Sequence, residues 1–437
     1  MIVIELVRHL HQEVADAVQG EQRRRKAGGA ARLDGEEERH FARSAIQRVI
    51  ASHVAAQLQA GQQTLDTDDE SELADAIFAR MFGAGRLQKL LDDESIENID
   101  MNGCDEVWVK RAGLDFEERV GPVCGSDAEL IELVQQLAAY AGLSSRPFDS
   151  ANPNLDLQLP DGSRLAAVMS VTARPMVSIR RHRMLDPDME EIVKSRALTP
   201  EAADFLRAVV RGRFNTIIAG GTASGKTTLL RAMASEIDPR ERVVTIETSF
   251  ELALDRQTAR HPNCVAMEAR EPNSEGAGGV TVAQLVKRTL RLNPDRVIVG
   301  EVLGPEIVPM LNVMSQGNDG SLSTIHVDSP RETFGRIASY AQQAEDLPRH
   351  VVHEMIAGAV DFVVFINRDR RGAGQRRVRS ILEINGYDES VGVQASEIFA
   401  PNVDGDAERV QTTAISRLAD LVAAGWKSPD GSWGWDR

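Results

Sequence analysis

Between Phe214 and Leu230 the chain reads FNTIIAGGTASGKTTLL, and no other stretch restricts its fold as much. Thr216-Ile217-Ile218-Ala219 is an apolar, largely β-branched run of strand length. Gly220-Gly221-Thr222-Ala223-Ser224-Gly225-Lys226-Thr227 follows and fits G-x-x-x-x-G-K-[ST]. Thr228 to Ala234 then reads as a helix. Strand, Gly-rich turn and helix in that order make a phosphate-binding loop. Glycines let the backbone turn tightly, successive N–H groups point inward, and the helix N-terminus favours negative charge. Lys226 is expected to reach the β- and γ-phosphates of ATP and the Thr227 hydroxyl to bind Mg²⁺, with Thr228 completing the nucleotide-binding stretch.

The 437 residues suffice for two or three domains. Aromatics make up only 4%, so the core must rest on Leu, Ile, Val and Ala. The net charge of −16 argues against a general nucleic-acid binder, and no specific nucleic-acid partner is expected. Cys104, Cys124 and Cys264 lie far apart, form no zinc framework, and fit a reducing compartment. The N-terminus does not read as a signal peptide, and no apolar run approaches the ~20 residues of a membrane span. The expectation is a cytoplasmic protein, at most peripheral to a membrane.

Residues 1 to about 85 read as helical and separable. The first amphipathic stretch, with Ile4, Leu6, Val7 and Leu10, is expected to dissolve at Gly20, leaving Arg23 to Lys26 in a solvated linker. Asp34-Gly35-Glu36-Glu37 resembles an N-cap ahead of a helix carrying Phe41, Ile46, Val49, Ile50 and Val54. Gln62 to Ser71 reads as a loop and Glu72 to Phe82 as another helix. Beyond them, short strands, a helix from Ser126 to Ala141, a hairpin over Leu155 to Val171 and a strand from Met176 to Arg181 predict an α+β domain. After Pro200, strands alternate with helices, which predicts a mostly parallel sheet covered by helices.

Binding a nucleotide does not hydrolyse it; a carboxylate near Mg²⁺ or the attacking water is also needed, with positive charge on the phosphates. Two strands end in candidates: Val243-Val244-Thr245-Ile246 at Glu247, and Arg296-Val297-Ile298-Val299-Gly300 at Glu301. Both fall at the carboxyl edge, where α/β sheets hold their ligands. Gly300 occupies the place where an Asp commonly stands, so Glu301 carries the acidic role alone. Gly317 to His326 is Gly-rich and polar, and His326 closes a short strand; a single His in such a place can equally be structural.

With these residues in view, the chain resembles the secretion ATPases of the type II/type IV superfamily. More narrowly, it is similar to the CpaF/TadA branch, which powers assembly of tight-adherence (Flp-type) pili. The similarity spans about Gly83 to Pro401. It rests on Thr245-Ile246-Glu247 with Glu251-Leu252, on Arg270-x-Pro272-Asn273 with Glu275-Gly276, and on Leu290-Arg291-x-x-Pro294-Asp295-Arg296 through Val302. Gly317 to His326, Leu159-Pro160-Asp161-Gly162-Ser163-Arg164 and Ser178-Ile179-Arg180-Arg181 complete it.

The resemblance implies an α/β fold. A helical extension (residues 1–82), a smaller α+β domain (83–184) and a linker (185–198) would precede a RecA-like ATPase domain (199–437). It implies a homohexamer that works with an integral-membrane platform protein at the inner face of the cell membrane. By position it makes Glu247 the general base or water-positioning residue, Glu301 a holder of the Mg²⁺ shell and His326 a γ-phosphate contact. Arg164 and Arg180 would neutralise phosphate charge. Three positions depart from the pattern: Thr248 replaces an Asp, Leu303 an Arg and Asn318 a His. A DNA-transfer ATPase of the same superfamily and a weakly hydrolysing, nucleotide-responsive scaffold are the alternatives.

Overall fold

The computed structural model describes residues 4–27, 33, 35–61, 65–82, 84–112, 114, 116–140, 148–159, 161–181, 187–270, 272, 276–368 and 375–427. Pro160, Asn273 and Glu275 of the resemblance, and the expected cap Asp34, lie outside them. The chain divides into two compact units, Met1–Arg183 and Met184–Arg437.

The first unit opens with helices α1 (Ile4–Ala27), α2 (Gly35–Gln59) and α3 (Thr67–Phe82). They meet around Leu10, Val14, Ala45, Ile46, Ile50, Leu73 and Ile77. Two expectations change here. Helix α1 does not stop at Gly20 but carries the basic run to Ala27. A mid-helix glycine costs only about 1 kcal/mol. Long-range contacts work against that cost: Arg25 bonds Glu37 of α2 at 2.9 Å, and the Gln22 side-chain amide oxygen accepts from the Leu33 N–H. Helix α3 begins at Thr67 rather than Glu72, because the Asp66 carboxylate caps it by accepting from the Asp69 N–H at 2.7 Å.

Next come α4 (Leu87–Asp92), β1 (Ile96–Asn102), β2 (Val107–Arg111), β3 (Glu117–Val120), α5 (Asp127–Tyr140), β4 (Asn154–Gln158), β5 (Arg164–Val168) and β6 (Met176–Arg180). The six strands form one antiparallel sheet in the order β3-β2-β1-β6-β5-β4. Their alternation turns Ile99, Met101, Leu165 and Ile179 inward to pack with Leu130, Val134 and Leu137 of α5.

In the second unit, the segment expected as a linker is helical and packed: Met189, Ile192 and Leu198 belong to the core, and α6 (Met189–Lys194) starts from a capping box of Asp188 with Glu191. The unit continues through α7 (Pro200–Arg211), β7 (Thr216–Gly220), α8 (Lys226–Ala234), β8 (Val243–Glu247), β9 (Cys264–Glu268), α9 (Val282–Thr289), β10 (Arg296–Val302), α10 (Ile307–Ser315) and β11 (Leu322–His326). Then come α11 (Glu332–Glu345), α12 (Arg349–Ala359), β12 (Phe362–Arg368), β13 (Arg376–Asp388), β14 (Gly392–Pro401), β15 (Ala407–Arg409) and α13 (Leu418–Ala423).

Its sheet runs β15-β14-β13-β12-β7-β11-β10-β8-β9. From β12 to β9 every pairing is parallel, as the alternating sequence predicts; β13, β14 and β15 extend it antiparallel. Helices cover both faces. Ile218 of β7 and Phe362 and Val364 of β12 face α6, α7 and α8, while Ile217, Ala219, Val363 and Phe365 face α10, α11 and α12. Strands buried on both sides read as unbroken apolar runs, and β7 and β8 are buried at every residue.

Asn215, just before β7, ties three elements together. Its side-chain N–H groups donate to Met314 O and Ala359 O, both at 2.8 Å, and its carbonyl oxygen accepts from Ser321 N at 3.0 Å. Asn215→Ala leaves those three buried groups without partners. We expect a loss of ~3 kcal/mol and a melting temperature for this unit about 10 °C lower by calorimetry; a shift below 2 °C contradicts the tie.

Candidate phosphate-binding site

The site is assembled by the carboxyl edge of four adjacent parallel strands. β7 ends at Gly220 and enters the Gly-rich turn. His326, at the end of β11, pairs in register with Gly220. Glu301 lies near the end of β10, whose Val302 pairs with Ile325 of β11. Glu247 closes β8, one residue beyond the Val299–Ile246 pair. The four predicted features thus line up across the sheet in the order loop, His326, Glu301, Glu247.

In the turn itself Ala223 (φ +57°) and Gly225 (φ +97°) adopt left-handed backbone, and α8 begins at Lys226. Gly220 tolerates no side chain, since a Cβ there would lie 2.1 Å from Ile366 O. Lys226 is buried, and its ammonium donates to Gly221 O at 2.9 Å and lies 3.1 Å from His326 Nδ1. The other imidazole nitrogen, Nε2, is in direct contact with a Glu301 carboxylate oxygen. Lys226 Nζ is also 3.3 Å from Nε2, so the ammonium lies beside both ring nitrogens. Lys226, His326 and Glu301 therefore form one contiguous polar row.

Glu247 is held differently. It is 4% exposed, and one oxygen accepts from the N–H groups of Glu251 at 2.9 Å and Leu252 at 2.8 Å. The second oxygen is buried without a hydrogen bond. Burial pushes its carboxyl up to about 8, against a smaller downward pull from the Leu252 and Glu251 N–H groups. Gly300 lies against this side chain: a Cβ there would come within 3.1 Å of Glu247 Cγ and 3.4 Å of its carboxylate. A side chain at position 300 would press on Glu247 of the neighbouring strand.

The three departures take ordinary places. Thr248 is exposed. Leu303 is 53% exposed, with its N–H given to the Glu306 carboxylate. Asn318 is buried and donates to Pro294 O at 2.7 Å, bracing the loop before β10. Thr227 and Thr228 are half-buried in the first turn of α8. Arg164 and Arg180 lie in the first unit as direct cross-strand partners on β5 and β6, on the sheet face away from its core. One neighbour of the loop has no local signal in the sequence: Arg376, at the start of β13, donates from Nε to Ala223 O at 3.1 Å.

The residues fit a bound phosphate chain. The Ser224 hydroxyl is buried in the turn without a hydrogen-bond partner, and Lys226 is held by acceptors that a phosphate can replace. Burial of Glu247 also predicts a pH effect. Its folded-state value near 8 exceeds the ordinary value of 4.5, so the stability it contributes is full below about pH 4.5 and is lost as pH rises towards 8. Glu247→Gln does not titrate. We expect thermal melts of the variant and parent to coincide near pH 4.5 and the variant to melt several degrees higher at pH 8; equal melting at both contradicts the buried neutral carboxyl.

Several known proteins are similar to this chain. A putative conjugal transfer protein of Mycobacterium tuberculosis is 35% identical over 313 residues, covering 68% of this chain and 84% of its own length. The protein VirB11 of Agrobacterium fabrum is 30% identical over 307 residues, 63% of this chain and 85% of that protein. Among solved structures, the ATPase DotB of Legionella pneumophila aligns at a TM-score of 0.50 with 18% identity, covering 71% of this chain and 82% of that one, a likeness of fold. Residues 81–370 match the Type II/IV secretion system protein family, and the chain belongs to it.

Proposed function

We propose that this chain is an Mg²⁺-dependent ATPase whose hydrolysis drives a secretion or pilus-assembly machine of the cell envelope. The observation that carries the reading is the row of phosphate loop, His326, Glu301 and Glu247 across four parallel strands. Family membership supports it, and the CpaF/TadA branch is our narrower assignment.

In this reading the N–H groups of 221–227 and the Lys226 ammonium hold the phosphates. Mg²⁺ would sit with Thr227 and Glu301, because that ion takes one or two protein oxygens and completes its shell with phosphate and water; there it would offset charge building on the phosphate oxygens. Phosphate arrival takes Lys226 from Gly221 O and His326, so His326 is freed to contact the γ-phosphate side. Glu247 orients the attacking water and accepts its proton. A carboxyl pushed up to about 8 is a poor holder of charge but a strong base once ionised.

We assign Arg164 and Arg180, by resemblance, the neutralising of phosphate charge. They stand directly opposite one another on β5 and β6. Facing like charges cost energy that an anion relieves. We assign the working form as a homohexamer with an integral-membrane platform protein as partner, at the cytoplasmic face of the membrane. No helix among the described residues is long and apolar enough to cross a membrane itself.

A second reading, a DNA-transfer ATPase, draws on the conjugal transfer relative. Phosphate-release assays on purified hexamer separate the cases. Lys226→Ala should abolish turnover, and Glu247→Gln should bind ATP while slowing hydrolysis by at least ~10²; parent-like turnover in both sinks the ATPase reading. Single-stranded or duplex DNA should leave the rate unchanged. Stimulation that fades steeply between 50 and 200 mM salt would instead favour DNA transfer.

A further inference from the structure

The phosphate loop is gripped from outside by the base of the β12–β13 hairpin. Arg368 and Arg376 face each other across that hairpin. From its first strand, Ile366 presents its carbonyl oxygen 2.1 Å from where a Gly220 Cβ would stand, and its Cδ1 3.5 Å from a Cβ on Gly225. From its second strand, the Arg376 stem lies 3.2 Å from that same Gly225 position, and its Nε–H donates to Ala223 O at 3.1 Å. The contacts fall on the two left-handed residues of the turn, Ala223 (φ +57°) and Gly225 (φ +97°). For an alanine that conformation costs roughly 1–2 kcal/mol and persists only when its surroundings hold it.

We propose that Arg376 is a positioning residue for nucleotide binding: its guanidinium fixes the Ala223–Ser224 peptide so that the turn keeps the shape that receives phosphates. The peptide is planar, so fixing its carbonyl also fixes the Ser224 N–H on the opposite side. In the present structure that N–H makes a long 3.4 Å bond to Gly221 O, the same oxygen that holds Lys226. The turn is therefore folded onto itself where phosphate oxygens would enter, and the outer bond holds the Ala223 carbonyl in place while those inner bonds exchange. Arg376 lies 153 residues beyond Ala223, in the antiparallel extension. A donor on the outer side of the turn acts before chemistry and on any nucleotide that carries the inner phosphates. It thus supports ground state and transition state alike, which changes KM and leaves kcat nearly untouched.

This inference rests on the loop being a nucleotide site. The test is titration of the full-length protein with ADP and with ATP, by calorimetry or a fluorescent nucleotide, beside steady-state kinetics and thermal melts. Arg376→Ala, Arg376→Met and Arg376→Lys are compared with the parent. Met keeps the aliphatic stem over Gly225, and Lys keeps the charge but loses the Nε–H at that place. We expect all three to bind both ADP and ATP about tenfold more weakly, as loss of one charge-assisted bond implies. KM should rise in step, kcat should stay within about threefold, and the melting point of the nucleotide-free protein should be unchanged. Affinities within twofold of the parent in Arg376→Ala overturn the inference. Full recovery by Arg376→Lys also overturns it, because charge alone would then suffice. A parent that binds neither nucleotide overturns the phosphate-site reading and this inference with it, whereas a binding parent with indifferent variants overturns only the inference.

Discussion

The site depends on β7 being sandwiched between parallel neighbours and buried on both faces. Parallel register puts the carboxyl ends of β7, β11, β10 and β8 on one edge, so groups more than 100 residues apart in sequence meet without any local interaction between them. Burial makes the register rigid: a slip of one residue would exchange Ile218 with Ile217 and Ala219 between two different cores. The amino-terminal edge is fastened as firmly. Arg296, 1% exposed, is held by the Glu241 carboxylate through two 2.8 Å bonds, and its guanidinium passes under Gly320, where a Cβ would lie 2.5 Å away. The Arg and Gly of two sequence motifs thus serve the scaffold, at the end of the sheet opposite the loop.

Sheet chemistry also explains why the polar row behaves as it does. His326 stands between Lys226 and Glu301 and touches both. Glu247 has only two backbone donors on one oxygen. Burial with so few donors favours the neutral form of Glu247.

Much of this was legible in the sequence because the signals were local or periodic. The turn from Gly220 to Thr227, the alternating strands and helices, and the strand ends at Glu247 and Glu301 all appear where the chain implies them. What sequence could not reach was set by tertiary contact. Helix α1 runs past Gly20 because of partners on other segments, residues 187–198 join a core, and β13 and β14 add an antiparallel wing whose Arg376 touches the turn. Glu251 and Leu252, read as motif side chains, act on Glu247 through their backbone N–H groups, which no residue pattern encodes. Arg164 and Arg180 take their proposed role from resemblance and from standing opposite one another on the sheet.

The packing of Gly300 against Glu247 has a consequence for which side chains the two strand ends can carry together. A Cβ at 300 would lie 3.1 Å from Glu247 Cγ, so any side chain there must displace the buried glutamate by a few tenths of an ångström. The bare glycine on β10 leaves Glu247 its seat on β8, and the acid that β10 contributes stands one residue further on, at Glu301.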